Sequence, residues 1–187
     1  MTKLTFIDSD ILFSFFAINK EKENKYFETG STDNEDLDSI MKLIEEIESN
    51  NETICLSEIS VLEILCTINR QKSSFKIPTI LTKIYKFCDI LPLNNLLIKL
   101  SWFIGSNYNY HSGDALHISF CLFNNIKKMI LKDKVFYESC LKIKDDYKKK
   151  GFQEIETFFQ NIDYAQGVPE RILQKFSNIE NLIIKRI

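Results

Sequence analysis

Four short apolar runs, LTFID, ETICL, DILPL and KMILK, recur along the chain, and between them lie longer stretches with apolar residues at three- and four-residue spacing. That alternation constrains the fold more than any other feature. Short apolar runs bounded by turn residues read as buried strands, and the stretches between them read as helices with one apolar face. Strand and helix taken in turn predict an α/β domain: a central, mostly parallel sheet with helices on both faces, in three layers, α/β/α. In such sheets, sites form beyond the carboxyl ends of the strands.

The first strand is expected over residues 3–8. ILFSFFAI follows; its length suits a helix and its aromatics suit a strand equally. The polar stretch KEKENKYFETGSTDNED is expected to be a loop or a frayed helix end. A helix is predicted from Asp36 to Glu48 on the spacing of Leu37, Ile40, Met41, Ile44 and Ile47. ETICL forms the second strand, and Ser57 is placed to cap a helix running to about Arg70. Pro78 suits the first turn of another helix. DILPL is the third strand, ended by Pro92. NLLIKLSWFIGS predicts a helix stopping near Gly105. Ser112 is expected to cap the next one, through about Asn124. KMILK and KVFYESCLKI supply the fourth strand and a further helix. From Gly151 the pattern is less regular. FQEIETFFQNIDY suggests an edge strand, and the stretch from Pro169 onward suggests a helix with Ile172, Phe176, Ile179 and Ile183 on its apolar side. The expected organisation is a domain over 1–150 with a C-terminal extension, 151–187, packed on it.

Composition narrows the function. With 44% apolar residues among 187, the chain can bury a real core. The formal net charge of -2 gives no global field for a polyanion, so a nucleic acid would be met locally, by a metal ion and a few cations. The five cysteines (Cys55, Cys66, Cys88, Cys121 and Cys140) are odd in number and lack CxxC spacing, which argues against a disulfide framework and a zinc cage. They read as buried free thiols in a reducing compartment. No secretory apolar core and no long apolar span is present, so a soluble cytoplasmic protein without membrane partners is expected.

Four acids stand beside apolar runs: Asp8, Glu63, Asp114 and Asp133. A buried unpaired carboxylate is costly, several together repel, and a hard divalent cation relieves both problems. Each acid also has a plainer explanation. Asp8 and its neighbour Asp10 suit helix N-caps, and Ser9 suits a turn or a hydrogen bond to a ligand. Glu63 shares a polar stripe with Ser60, Thr67 and Arg70 that can face water, while Glu58 sits where a helix dipole favours negative charge. The dipole also favours Asp114, and Gly113 beside it permits close backbone approach. His117, one turn on, suits a polar core position better than a ligand role for an oxygen-preferring ion. Asp133 lies between Lys132 and Lys134, which suit phosphate contacts or a solvated turn. Lys127, Lys128, Lys148, Lys149 and Lys150 are further candidates for salt-sensitive backbone contacts with nucleic acid.

Taken in order, FIDSDILFSFF, SEISVLEIL, GDALHISFCLF and MILKDKVF resemble the PIN domain, specifically the VapC-type ribonuclease toxins. The resemblance spans about residues 3–150. It matches Asp8-Ser9-Asp10-Ile11-Leu12 to the turn after the first strand, and Ser57 with Glu63 to the helix after the second. It matches Asp114-Ala115-Leu116-His117 to the helix opening with Asp, and Asp133 to the end of the fourth strand. Leu131, Val135 and Phe136 depart from the Thr or Ser and the further acid that many relatives carry around that last position. The resemblance implies a Mg²⁺- or Mn²⁺-dependent endoribonuclease. Asp8 and Asp114 would hold the ion, Glu63 and Asp133 would complete the acidic pocket, and Ser9, Asp10 and Lys132 would assist. It also implies a homodimer and a small antitoxin partner. Three alternatives stay open: a stand-alone RNA-processing nuclease, a PIN-like module that binds RNA or protein, and a haloacid-dehalogenase-like phosphatase using the Asp8-x-Asp10 pair, with Asp8 as nucleophile.

Overall fold

The computed structural model describes residues 3–70, 76–150 and 174–187. Contacts divide the chain into two compact units, Met1–Leu91 together with Ile187, and Pro92–Arg186.

The first unit holds strands β1 (Lys3–Ile7), β2 (Glu52–Ser57) and β3 (Cys88–Leu91), with helices α1 (Ser9–Phe16), α2 (Lys20–Thr29), α3 (Glu35–Ser49), α4 (Glu58–Arg70) and α5 (Ile77–Phe87). Its strands lie in the order β3-β2-β1 and pair in parallel, with Phe6 opposite Cys55 and Cys55 opposite Asp89. Parallel strands need crossover connections, which the intervening helices provide. The inner strand β2 is buried over Ile54–Ser57 and β1 over Thr5–Ile7, as expected for strands covered on both faces. α3 buries Ile40, Met41, Leu43, Ile44 and Ile47, close to the predicted stripe, and Pro78 stands in the first turn of α5 as expected.

ILFSFFAI resolves as helix: its first turn is capped by Asp8, and Ile11, Leu12 and Phe16 are buried on one side. Of the stretch expected to be a loop or a frayed helix end, Lys20–Thr29 is instead the ten-residue helix α2, while residues 30–34 connect it to α3 without helix. Asn19 accepts from the Lys22 N–H at 2.9 Å at its start, and Gly30 at φ 77° closes its end in the left-handed region that suits glycine. One apolar residue, Tyr26, anchors it by packing with Ile18 and Met41. A single anchor leaves no apolar period to read, so termini and tertiary packing outweigh the polar composition.

The second unit holds α6 (Asn95–Tyr108), α7 (Ser112–Phe123), β4 (Lys128–Leu131), α8 (Lys134–Lys150), a 3₁₀ turn (Ser177–Asn181) and β5 (Ile183–Arg186). β4 is buried throughout and pairs in parallel with β5, Lys128 opposite Ile183. Three expectations need correction. α6 runs a turn beyond Gly105 and stops at Asn109, which takes the left-handed conformation (φ 54°) that Asn tolerates. The N-cap of α7 is His111, and Ser112 is its first helical residue. The described end of the chain finishes in a 3₁₀ turn and a strand. Phe176 and Ile179 are buried, but Ile183 is 54% exposed on β5. The run Leu182-Ile183-Ile184 is β-branched at its core, and the Ile183 N–H finds the Lys127 carbonyl at 2.9 Å, so strand pairing takes precedence over helical spacing. Ile172, Pro169, Lys150's side chain and the suggested edge strand lie outside the described residues.

Candidate active site

In the first unit, Asp8 directly follows β1 and is half-buried. Its carboxylate Oδ1 accepts from the Asp10 N–H at 3.3 Å, and its carbonyl accepts from Ile11 and Leu12 at 3.1 and 3.2 Å, so it is the N-cap of α1. Ser9 is buried and Asp10 exposed in the first turn. The β1–β2 register, carried two residues further, sets Asp8 level with Ser57 at the carboxyl end of β2. Ser57 caps α4 as expected: its Oγ accepts from the Ser60 N–H at 3.1 Å and lies 3.0 Å from the Ser60 hydroxyl. Ser60 is therefore fully buried, and the polar stripe through Glu63 does not face water at that end. Glu63 itself is half-buried on α4, which packs on α1, while Glu58 is exposed.

In the second unit, Asp133 stands two residues beyond the end of β4 and immediately before α8. Its Oδ1 accepts from the Phe136 N–H at 2.7 Å and its carbonyl from Tyr137 at 3.1 Å. Asp133 and its neighbours Lys132 and Lys134 are exposed, with Lys134 3.7 Å from Glu138. Lys128, a candidate for phosphate contact, is buried within β4, which removes it from any solvent-facing basic patch; Lys127, Lys148 and Lys149 are exposed.

Asp114 is half-buried in the first turn of α7. Sequence reasoning missed what lies behind it. The Tyr110 ring meets Phe136 edge-on at 6.0 Å, and Phe136 meets His117 at 6.4 Å. Burial first, with the Asp114 charge adding to it, pushes the Tyr110 phenol above its ordinary value, and burial with Asp114 does the same to the Cys140 thiol. Both groups stay protonated beside the carboxylate. His117 is buried, in keeping with a polar core position. The signal was faint: Tyr110 lies in a polar loop and Cys140 one helix away. The thiols are free, as expected, and four are buried, but Cys66 is exposed. Burial first, with Asp89 next, pushes Cys88 up to about 12, leaving it inert.

The family model of the PIN domain matches residues 30–140, more than half of the chain. The chain belongs to the PIN-domain family. The match contains Glu63, Asp114 and Asp133; Asp8 precedes it. No curated protein matches the sequence. PIN domains have a nuclease fold, a three-layer α/β/α arrangement with a parallel central sheet, which is the fold class expected from the sequence. Family membership leaves the phosphatase alternative without support. Among the described residues, no helix is long and apolar enough to cross a membrane.

The donors a PIN-type ion would find are carboxylate oxygens, which suit Mg²⁺ or Mn²⁺ and not a soft metal. Among the described residues, no group of three or more His, Cys, Asp or Glu side chains is gathered closely enough to hold an ion. Zinc and calcium sites take three or more protein ligands. Mg²⁺ keeps several waters and takes one or two carboxylates together with substrate phosphate oxygens, so the donor chemistry fits that ion.

Proposed function

We propose that this PIN-domain protein is a Mg²⁺- or Mn²⁺-dependent endoribonuclease, leaving 5′-phosphate and 3′-hydroxyl ends, and the toxin of a toxin–antitoxin pair. The observation that carries the reading is the placement of Asp8 and Asp133. Asp8 directly follows β1 and Asp133 stands two residues beyond the end of β4; each caps the next helix, at the carboxyl ends of parallel strands, where α/β sheets hold their ligands. Asp8 and Asp114 are the proposed ion-binding carboxylates, with Glu63 and Asp133 as the remaining acids. When bound, the ion supplies charge neutralisation at the scissile phosphate and a more acidic water. The chain's own residues do the rest. A carboxylate, Glu63 or Asp133, orients the attacking water and accepts its proton. Lys132 meets phosphate oxygens, while Ser9 and Asp10 hold the turn that presents Asp8. The proposed nuclease domain spans 1–150, with 151–187 as an extension packed on it. A homodimer and a small antitoxin complete the proposal.

Asp8→Asn and Asp114→Asn each remove a charge with little change of shape. Each is expected to lower Mg²⁺-dependent RNA cleavage by about a hundredfold or more with unchanged circular dichroism. A variant that cuts at the wild-type rate removes its residue from the site. The second reading, a PIN module that binds RNA without cutting it, draws on the absence of a three-acid group among the described residues. RNA binding without cleavage across Mg²⁺ and Mn²⁺ would decide for it. Growth arrest on expression, relieved by a small neighbouring reading frame, tests the toxin role separately.

A further inference from the structure

A groove of about 380 Å³ opens in the second unit between α6 and α7. Its outer wall is Trp102, 57% exposed, with Ile98 beside it at 51%. Its floor is small: Gly105 and Ala115 put nothing larger than a methyl group there. Ser106 and Ser112 stand exposed at the rim. Ser101, deeper in, already donates its hydroxyl to the Leu97 carbonyl at 2.8 Å. Tyr110 lines it as well. Ser112 and Ala115, which line the groove, flank the stretch of α7 that carries Asp114, so the groove lies beside the turn bearing the carboxylate proposed for the ion.

The shape has a chemical meaning. A flat aromatic wall over a floor of small residues makes a slot for a flat ring. The volume falls at the small end of the range for small-molecule sites, about 300–1,000 Å³. Bases suit such slots because each has a π-face for the aromatic wall and polar edges for nearby hydroxyls. We propose that this groove is a base-binding subsite: an unpaired base of single-stranded RNA stacks on the Trp102 indole and turns its polar edge to Ser106 and Ser112. The inference rests on the RNA reading of the Asp114 site and adds where the unpaired strand is gripped.

Trp102 is the single tryptophan of the chain, so its emission reports on this groove alone. Short single-stranded oligoadenylate is titrated into the full chain with EDTA present, so that binding is read without cleavage. Saturable quenching is expected, with the midpoint given by anisotropy of labelled RNA; a duplex of the same length, its bases already stacked, leaves the emission unchanged. Trp102→Ala is expected to weaken binding by roughly five- to hundredfold, and Trp102→Phe, which keeps a stacking face, by much less. Should Trp102→Ala fail to fold, Gly105→Leu fills the floor and is expected to weaken binding likewise. RNA binding with unchanged emission and undiminished affinity in the folded variants would overturn the proposal. So would self-association of the chain that Trp102→Ala abolishes while RNA affinity stays the same, since that assigns the groove to a protein partner. Cleavage judges the underlying reading independently: an active nuclease with a silent Trp102 sinks the base site alone, and an inert protein that binds no RNA sinks both.

Discussion

FSFFAI on α1 and SWFIG on α6 have similar composition and opposite packing. In the first unit, Phe16 is 1% exposed, and Phe15 and Phe87 close around it, with ring centroids 5.4 Å (Phe15–Phe16), 6.0 Å (Phe15–Phe87) and 6.4 Å (Phe16–Phe87) apart. Phe15 also leans on the cluster of Ile18, Tyr26 and Met41. In the second unit, Phe103 is buried edge-on against Phe176 at 6.2 Å, but the adjacent Trp102 turns outward over an open groove. The neighbours differ. Phe15 and Phe16 pack against the Phe87 ring, which is itself 39% exposed, whereas the groove that Trp102 lines has the small residues Gly105 and Ala115 in its lining. Aromatic content alone does not decide whether a surface closes; the size of the neighbouring residues contributes.

The largest expected effect breaks the closed side. Phe16→Ala removes a fully buried ring whose neighbours cannot all collapse into the gap, and should cost about 3–5 kcal/mol of stability in urea unfolding. Its backbone carbonyl would keep the Lys83 ammonium at 3.0 Å, so the loss would report packing and not that bond. A cost under about 1 kcal/mol, the range of near-neutral core swaps, would show that the cluster is no more closed than the groove.

A smaller effect sharpens the contrast through pH. The turn that leads into α3 is clamped by Asp38, which accepts from the Thr32 hydroxyl and N–H at 2.7 and 2.6 Å and from the Ser31 hydroxyl at 2.7 Å. The Thr32 bonds, first, and then Ser31 hold its carboxyl below the ordinary value. A lowered folded-state value means that the stabilisation is whole above the unfolded-state carboxyl value and is lost as the pH falls through the folded one. Wild type should therefore lead Asp38→Asn in unfolding midpoint near neutrality, and the lead should shrink in acid. A lead that stays constant with pH would assign the effect to shape and not to charge.

These two sides also show what could be read from the chain. The strands, α3 and the Ser57 cap were legible because apolar spacing and one hydroxyl sufficed to specify them. α2 was not, since Tyr26 alone anchors a polar helix between two end caps. The chain's end was misread because Phe176, Ile179 and Ile183 fit a helical period by accident, while the hydrogen bond from Ile183 to Lys127 is a long-range event that no local window contains. At the candidate site, Asp8 and Asp133 were legible because strand ends announce themselves. Tyr110 and Cys140 were not, because their meeting beside Asp114 depends on how α8 packs.

The smallest expected effect concerns the open side. Gly105 lies within α6 at a backbone conformation open to any residue, and an added methyl group would meet Ala115 Cβ at 3.6 Å, an ordinary contact. Glycine within a helix costs about 0.5–1 kcal/mol relative to alanine because it has more backbone freedom to lose. Gly105→Ala should accordingly raise stability by that amount, and the urea midpoint should move upward. The floor would then be small by choice of residue at the expense of stability, which is the signature of a groove kept open. Destabilisation would mean that the floor is already in firm contact, and the contrast between the buried α1 cluster and the groove would fail at the residue on which it turns.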